Sequence, residues 1–164
     1  MLSTHYRRST ISSTLSVVQH INDIICACSP SLHALRVLRN HGMGDAALQI
    51  IYRAVVVAKL LYAASAWWGF TTAADRQRVE AVLRRGVRAG LYEAERPTIA
   101  QLVESNDDTL LCRVISCSSH SLHKLLPDRT SHGYQLRQRP HDRILAASDD
   151  TRNFIHRLLL RNVY

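Results

Sequence analysis

An apolar stretch over residues 45–70, DAALQIIYRAVVVAKLLYAASAWWGF, constrains the fold of this chain more than any other feature. Plotted as a helix, its apolar residues fall on every face. A helix that is apolar all round is buried on all sides, inside a bundle of helices or inside a membrane. We therefore predict a central core helix over about 45–69, with Asp45 as its cap and Gly69 at its end, and with the other helices packed around it.

Two charges argue against a membrane span at this stretch. Arg53 and Lys59 interrupt it, so it contains no run of about 20 uncharged residues such as a bilayer requires. A charge near the centre of a bilayer costs roughly 3 kcal/mol on insertion scales. We expect a core helix and no membrane partner.

The remaining segments alternate between helical apolar spacing and capping signals. Before the central helix we predict a kinked pair, about 15–28 and 30–40, in which Ser29 caps the second helix and Pro30 occupies its first position. After it, Thr72 and Asp75 resemble a capping box that opens a helix over about 73–91. Further helices are expected from Thr98, from Asp107 or Asp108 to Pro127, and after Asp149-Asp150.

These segments predict an all-α protein, a small bundle of about five to seven helices around one buried central helix. The expected organisation is a loose segment at 1–13, a helical domain at 14–127 and a basic extension at 128–164. Within that extension, residues 128–143 lack a helical period and are interpreted as an extended basic arm, followed by a short C-terminal helix. A short strand near 9–13 is the one exception expected to the helical character.

The charge of the chain indicates an anionic partner. The formal net charge is +8 over 164 residues, and of the 21 basic residues all but Lys59 and Lys124 are arginine. An excess of positive charge favours nucleic acid as the partner. The planar arginine fork also suits phosphate oxygens.

The helix at 73–91 has two faces. Its apolar face carries Val79, Leu83 and Val87 together with Gly86 and Gly90, and the two glycines predict close approach to a neighbour, the central helix.

On the opposite face, Arg78, Arg85 and Arg88 lie within about 80° of each other at the helical period. We predict that these three bind nucleic-acid phosphates, with Arg137, Arg139 and Arg143 of the basic arm as further contacts. The alternative is an ordinary solvated face. Arg7, Arg8 and Arg36 are expected to lie away from this face.

Four residues, Cys112, Cys117, His120 and His123, suggest a zinc site only weakly. The gaps of four and two residues do not match the usual spacing, and a helix would scatter the ligands. Buried thiols on a polar helix are the alternative. We expect reduced cysteines in an intracellular protein of the nucleus or cytoplasm, since residues 1–14 lack the apolar core of a signal peptide.

Paired acids at 107–108 and 149–150 are interpreted as helix caps rather than metal ligands, because both pairs stand where helices are predicted to begin. No phosphate-binding loop or nucleophile motif is visible. The sequence therefore predicts no catalytic residue, no metal ligand, no cofactor and no small-molecule substrate.

Several segments resemble the C-terminal part of reverse transcriptases encoded by non-LTR (LINE-type) retrotransposons. The resemblance rests on ALRVLRNHG at 34–42, VAKLLYAASAWWGF at 57–70, ADRQRVEAVLRR at 74–85, HSLHKLLP at 120–127, YQLRQRPHDR at 134–143 and NFIHRLLLRNVY at 153–164. It covers about residues 10–164. It implies a helical thumb with a short extension, in which the thumb grips the template–primer duplex.

The same resemblance implies that the polymerase acids, which belong to an upstream palm, are absent from these residues. We expect a truncated fragment of an RNA-directed DNA polymerase, inactive alone, that binds RNA–DNA or other duplex without sequence preference. The alternatives are a non-catalytic helical interaction module, a non-functional relic, or an enzyme whose palm is supplied separately. Oligomeric state is not indicated by the sequence.

Overall fold

A computed structural model describes residues 16–93, 95–129, 143–144 and 152–161. The described residues form seven α-helices and no β-strand, so the predicted all-α class is confirmed. The helices are α1 (Val18–Asn40), α2 (Asp45–Tyr52), α3 (Ala58–Leu61), α4 (Ala64–Trp67), α5 (Ala73–Arg88), α6 (Ile99–Ser116) and α7 (Phe154–Arg161). A π-helical turn, Arg53–Val57, joins α2 to α3, and 3₁₀ turns lie at Trp68–Phe70 and Ser121–Leu125. The chain divides into two compact units, residues 1–102 and 103–164.

Helix α1 runs without interruption through Pro30, so the predicted pair of helices is wrong. Ser29 caps nothing; its hydroxyl donates to the carbonyl of Ile25 one turn back, at 3.4 Å. Proline removes one backbone donor and strains the helix around it. Lys59 supplies polar contacts there, because its Nζ donates to the carbonyl of Ala27 at 2.7 Å. The lysine that interrupts the apolar stretch therefore forms a hydrogen bond with the part of α1 that contains Pro30.

The apolar stretch is helical, but it is not one continuous helix. Between α3 and α4 the chain turns at Ala63, which adopts a left-handed conformation with φ of 49°. The turn is held by Trp67, whose indole Nε1 donates to the carbonyl of Tyr62 at 3.1 Å. Through this turn both Trp67 and Trp68 become buried. Ala63 itself is exposed, which contradicts the prediction that every face of this stretch is buried.

The stretch is also buried on one face only, so the predicted all-round burial is wrong. Its buried residues include one at every fourth position, namely Leu48, Tyr52, Val56, Leu60, Ala64 and Trp68, together with the neighbouring Val57 and Trp67. On the other side Ile50 is 69% exposed and Tyr62 is 43% exposed. Most of the remaining exposed positions are alanines, which count as apolar in sequence but cost little when they face water. Asp45 is the first helical residue rather than the cap, a position that Gly44 occupies.

By length and composition, residues Asp45–Phe70 could cross a membrane, with a mean hydropathy of 1.5 over the most apolar window. The core helix of a globular domain satisfies the same two criteria. In this structure the buried face packs on α1. The two charges are engaged, since Arg53 forms an ion pair with Glu93 at 2.7 Å and Lys59 donates to α1.

Helix α1 is the element on which the rest of the first unit packs. It contacts α2, the π-helical turn, α3 and α5. Its inner face is lined by Ile21, Cys28 and Leu35, all nearly inaccessible to solvent. His20 on the same helix meets the edge of Trp67 at 5.4 Å between ring centroids, and burial lowers the pKa of His20.

Helix α5 begins as predicted. The Thr72 hydroxyl accepts from the Asp75 amide at 3.1 Å and the Asp75 carboxylate accepts from the Thr72 amide at 3.2 Å, which is a capping box. The predicted close approach to the apolar stretch is confirmed at Gly86. A Cβ at Gly86 would lie 2.7 Å from Cε2 of Tyr52 on α2 and would overlap the end of that ring. The helix ends at Arg88, three residues earlier than predicted.

Helix α6 replaces two predicted helices. Thr98 and Gln101 form the expected capping box at its start, with Gln101 Oε1 accepting from the Thr98 amide at 2.8 Å. Asp107 and Asp108, predicted to begin a helix, lie inside α6. Asp107 is buried and forms an ion pair with Arg157 of α7 at 2.6 Å, so a long-range partner rather than a cap explains it. Asp149, Asp150 and the predicted strand near 9–13 fall outside the described residues.

Candidate nucleic-acid interface

An arginine-lined groove lies where the C-terminal ends of α1 and α5 meet in the first unit. It is open to solvent, with a volume of about 480 Å³. Its lining consists of Arg36, Arg39, Asn40, Arg85, Arg88 and Ala89. None of the described residues that line it is acidic. We call this feature the arginine groove.

Arg39 forms the fixed wall of the arginine groove. Its guanidinium donates to the carbonyls of Ala89 and Gly90, the latter at 2.9 Å, and forms an ion pair with Asp45 at 3.0 Å. Gly90 presents its carbonyl there because its φ of +65° reverses the chain at the end of α5. The carbonyl end of a helix carries partial negative charge and would repel an anion. Arg39 covers that end.

The other three arginines of the groove hold unpaired charges. Arg36, Arg85 and Arg88 are exposed, and none forms an ion pair or hydrogen bond with another described residue. Guanidinium groups in this condition keep all their donors free for phosphate oxygens, which they bind in a bidentate manner. The groove therefore combines one immobilised arginine with three that can turn toward a ligand.

A second groove follows the other side of α5 within the same unit. Its volume is about 510 Å³, and Glu80, Arg84, Arg88, Arg96 and Thr98 are among its lining residues. Glu80 and Arg96 form an ion pair at 2.8 Å, and Glu80 also accepts from the backbone amide of Ile99 at 2.9 Å. Of the arginines described in this lining, Arg84 and Arg88 form no ion pair. The second groove therefore has two unpaired arginines, whereas the arginine groove has three.

The structure brings together some of the arginines predicted from sequence. Arg85 and Arg88 both line the arginine groove. Arg78 is not in its lining; its guanidinium donates to Asn22 of α1 and lies 3.6 Å from Asp75. Arg143, in the second unit, donates to the carbonyl of Pro127 at 3.0 Å and bridges Arg129 through the backbone. Arg137 and Arg139 fall outside the described residues, as do Arg7 and Arg8.

Two groove residues were missed by sequence reasoning. Arg36 was expected to lie away from the binding face, but it lines the arginine groove, and Arg39 was not singled out. A signal was present in their spacing of three residues in the last turns of α1, which places both near one helix end. This spacing does not indicate that α1 packs against α5. That packing places Arg36 and Arg85 in the lining of one groove.

The cysteine and histidine cluster does not assemble. Within the described ranges no group of three or more His, Cys, Asp or Glu side chains is arranged to hold a metal ion. His123 Nδ1 lies 2.7 Å from the carbonyl of Val114, and His120 Nδ1 accepts from the amide of Leu122 at 3.2 Å. Cys112 and Cys117 are exposed rather than buried. A hydrogen bond with Ser119 lowers the pKa of the Cys117 thiol.

Comparison with known proteins returns no match: no protein-family model matches the sequence, no curated protein matches it, and no solved structure matches the chain.

Proposed function

We propose that this chain binds the phosphate backbone of duplex nucleic acid without reading its sequence, through the arginine groove of the first unit. We further propose that it does so as the thumb region of a non-LTR (LINE-type) reverse transcriptase, in an intracellular setting. The observation that carries the binding proposal is the convergence of four arginines from α1 and α5, of which Arg36, Arg85 and Arg88 are unpaired. The resemblance at 34–42, 57–70 and 74–85 supports the assignment to a thumb.

Elementary electrostatics supports a backbone ligand rather than a base-reading one. The groove offers charge and guanidinium donors, but no described aromatic residue lines it as a platform for stacking bases. Contacts with phosphates give affinity without sequence information. They also release counterions, so the affinity falls steeply as salt rises.

The binding proposal is tested by the double substitution Arg36→Ala with Arg85→Ala. Each residue is exposed and unpaired, so the melting temperature should change little. The affinity for a fluorescently labelled RNA–DNA duplex should fall about tenfold or more at low salt, equally for different sequences. The slope of log K against log salt should become shallower by about two units, because two phosphate contacts are lost. Fluorescence anisotropy over a range of salt concentrations measures both quantities.

The matched control is Arg113→Ala with Lys124→Ala, which removes the same charge from two exposed residues of the second unit. This pair should reduce the affinity by no more than about threefold, through net charge alone. Equal weakening by the two double variants would show that attraction is only bulk charge. In that case the arginine groove is not a binding site.

A separate prediction concerns polymerase activity. Purified chain should extend no primer with Mg²⁺ or Mn²⁺ on RNA or DNA templates, because two-metal phosphoryl transfer needs carboxylates converging on the metal ions. Asp107 and Asp108 on α6 instead form ion pairs with Arg157 and Arg161 on α7. Radiolabelled nucleotide incorporation measures the activity. Template-dependent incorporation that persists through several purification steps would contradict the prediction.

A further inference from the structure

The arginine groove has the size of a small-molecule site. Pockets that hold compact ligands have volumes of roughly 300–1,000 Å³, and the volume here is about 480 Å³. A nucleic-acid duplex is far wider than the arginine groove. Only one or two phosphates of its backbone would therefore lie inside the groove. The three unpaired guanidinium groups that line this one volume are therefore more than the phosphates of a passing backbone would engage.

The charge balance inside the groove points to a ligand with several charges close together. Arg36, Arg85 and Arg88 have no acidic partner, and their mutual repulsion remains uncompensated within the described structure. Arg39 is the exception, because Asp45 neutralises it. A ligand that places about three negative charges within the groove would satisfy the unpaired guanidiniums together, with short charge-assisted hydrogen bonds to each.

We infer that the arginine groove binds a compact polyphosphate, a chain of three linked phosphates, at one site per protein molecule. The shared chemistry is found in inorganic tripolyphosphate and in the phosphate tail of a nucleoside triphosphate. The bound anion would occupy the positions proposed for backbone phosphates and would compete with duplex. This inference concerns the same groove as the proposed function but does not depend on nucleic-acid binding.

The structure supplies a closely matched pair of variants for the test. Arg84 and Arg85 are neighbours on α5, both exposed and unpaired, but Arg85 lines the arginine groove and Arg84 lines the second groove. Substituting either by glutamine removes one charge and keeps the aliphatic stem. Arg36→Gln makes the same change from α1. All three changes should leave the melting temperature nearly unaltered, since exposed unpaired charges contribute little to stability.

Isothermal titration calorimetry with tripolyphosphate, without nucleic acid or divalent cations, should show one site per chain. Orthophosphate should bind at least about tenfold more weakly, because it offers fewer charged contacts. Arg85→Gln and Arg36→Gln should each reduce the affinity for tripolyphosphate about tenfold, whereas Arg84→Gln should reduce it less than about threefold. An adenosine triphosphate titration distinguishes the sources, since equal affinity means that only the phosphates are bound.

Two results would overturn this inference. One is several weak sites with no defined stoichiometry, and the other is equal weakening by Arg84→Gln and Arg85→Gln. If a variant unfolds, the stoichiometry and the preference of the wild-type chain for tripolyphosphate over orthophosphate still test the inference. Duplex binding without tripolyphosphate binding would refute this inference and leave the proposed function standing. Tripolyphosphate binding without duplex binding would do the reverse.

Discussion

Gly86→Ala is expected to destabilise the first unit by about 3 kcal/mol, although alanine is normally the better helix former. In a helix interior the same exchange usually stabilises by about 1 kcal/mol. Here an added Cβ would overlap Oη and Cζ of Tyr52 and lie 2.7 Å from its Cε2. The ring has little room to withdraw, because Tyr52 is fully buried and packs against Tyr92 at 5.2 Å between ring centroids. The steric term therefore exceeds the gain in helix propensity.

Thermal unfolding followed by circular dichroism measures this effect, with an expected fall in melting temperature of roughly 10 °C. A second variant, Gly86→Ala with Tyr52→Leu, should lose less than the two single changes together, because the smaller side chain admits the methyl group. Gly44→Ser is the control. That position has open space around it and extended backbone, and it should change the free energy of unfolding by less than about 1 kcal/mol. An unchanged or raised melting temperature for Gly86→Ala would show that α5 does not approach Tyr52 this closely.

Arg157→Ala is expected to cost about 3 kcal/mol in the second unit, because it removes the guanidinium partner of a buried carboxylate. Asp107 is 2% exposed, and its Oδ2 lies 2.6 Å from Nη2 of Arg157. Removing one partner of a buried charge costs more than the pair contributes, since the Asp107 carboxylate stays poorly solvated while it loses a charged partner. The loss should appear first in α7, where hydrogen-exchange protection around Leu158 and Leu159 should fall roughly 100-fold.

Arg161→Ala provides the comparison one turn further along α7. Arg161 pairs with Asp108, and the side chains of that pair are 36% and 53% exposed. A solvated pair contributes about 0–1 kcal/mol, so this change should be close to neutral. Replacing Asp107 and Arg157 together by leucine should cost less than the sum of the single losses. If Arg157→Ala changed the free energy of unfolding as little as Arg161→Ala, the burial of Asp107 would add nothing to the contribution of its ion pair.

The capping chemistry of the chain was readable from sequence. The boxes at Thr72–Asp75 and Thr98–Gln101 were both predicted, and both form with the expected reciprocal hydrogen bonds. Such motifs are local, because the side chain of one residue satisfies an amide only three positions away. The helical class and the two faces of α5 follow from spacing of the same short range.

The predicted helix boundaries are wrong at two places where the chain contacts a residue far away in sequence. Pro30 predicts a break, yet α1 continues through it, and Lys59, 29 positions on, donates to the carbonyl of Ala27 in the same part of the helix. Asp107 was read as a cap, yet it is buried in α6 against Arg157, 50 positions on. Proline and aspartate carry strong local preferences, and packing against other elements overrides such preferences routinely.

The candidate site also has one part that the sequence predicts and one part that depends on tertiary packing. The sequence by itself determined that this chain is helical and strongly basic, and that Arg85 and Arg88 occupy the face of α5 opposite its apolar residues. Only the tertiary structure decided that Arg36 and Arg39 join them, and that Arg78 is taken up by Asn22 and Asp75. The physical reason is that periodicity determines the face of a helix on which a residue lies. Which faces meet depends on packing between residues far apart in the chain, here α1 against α5.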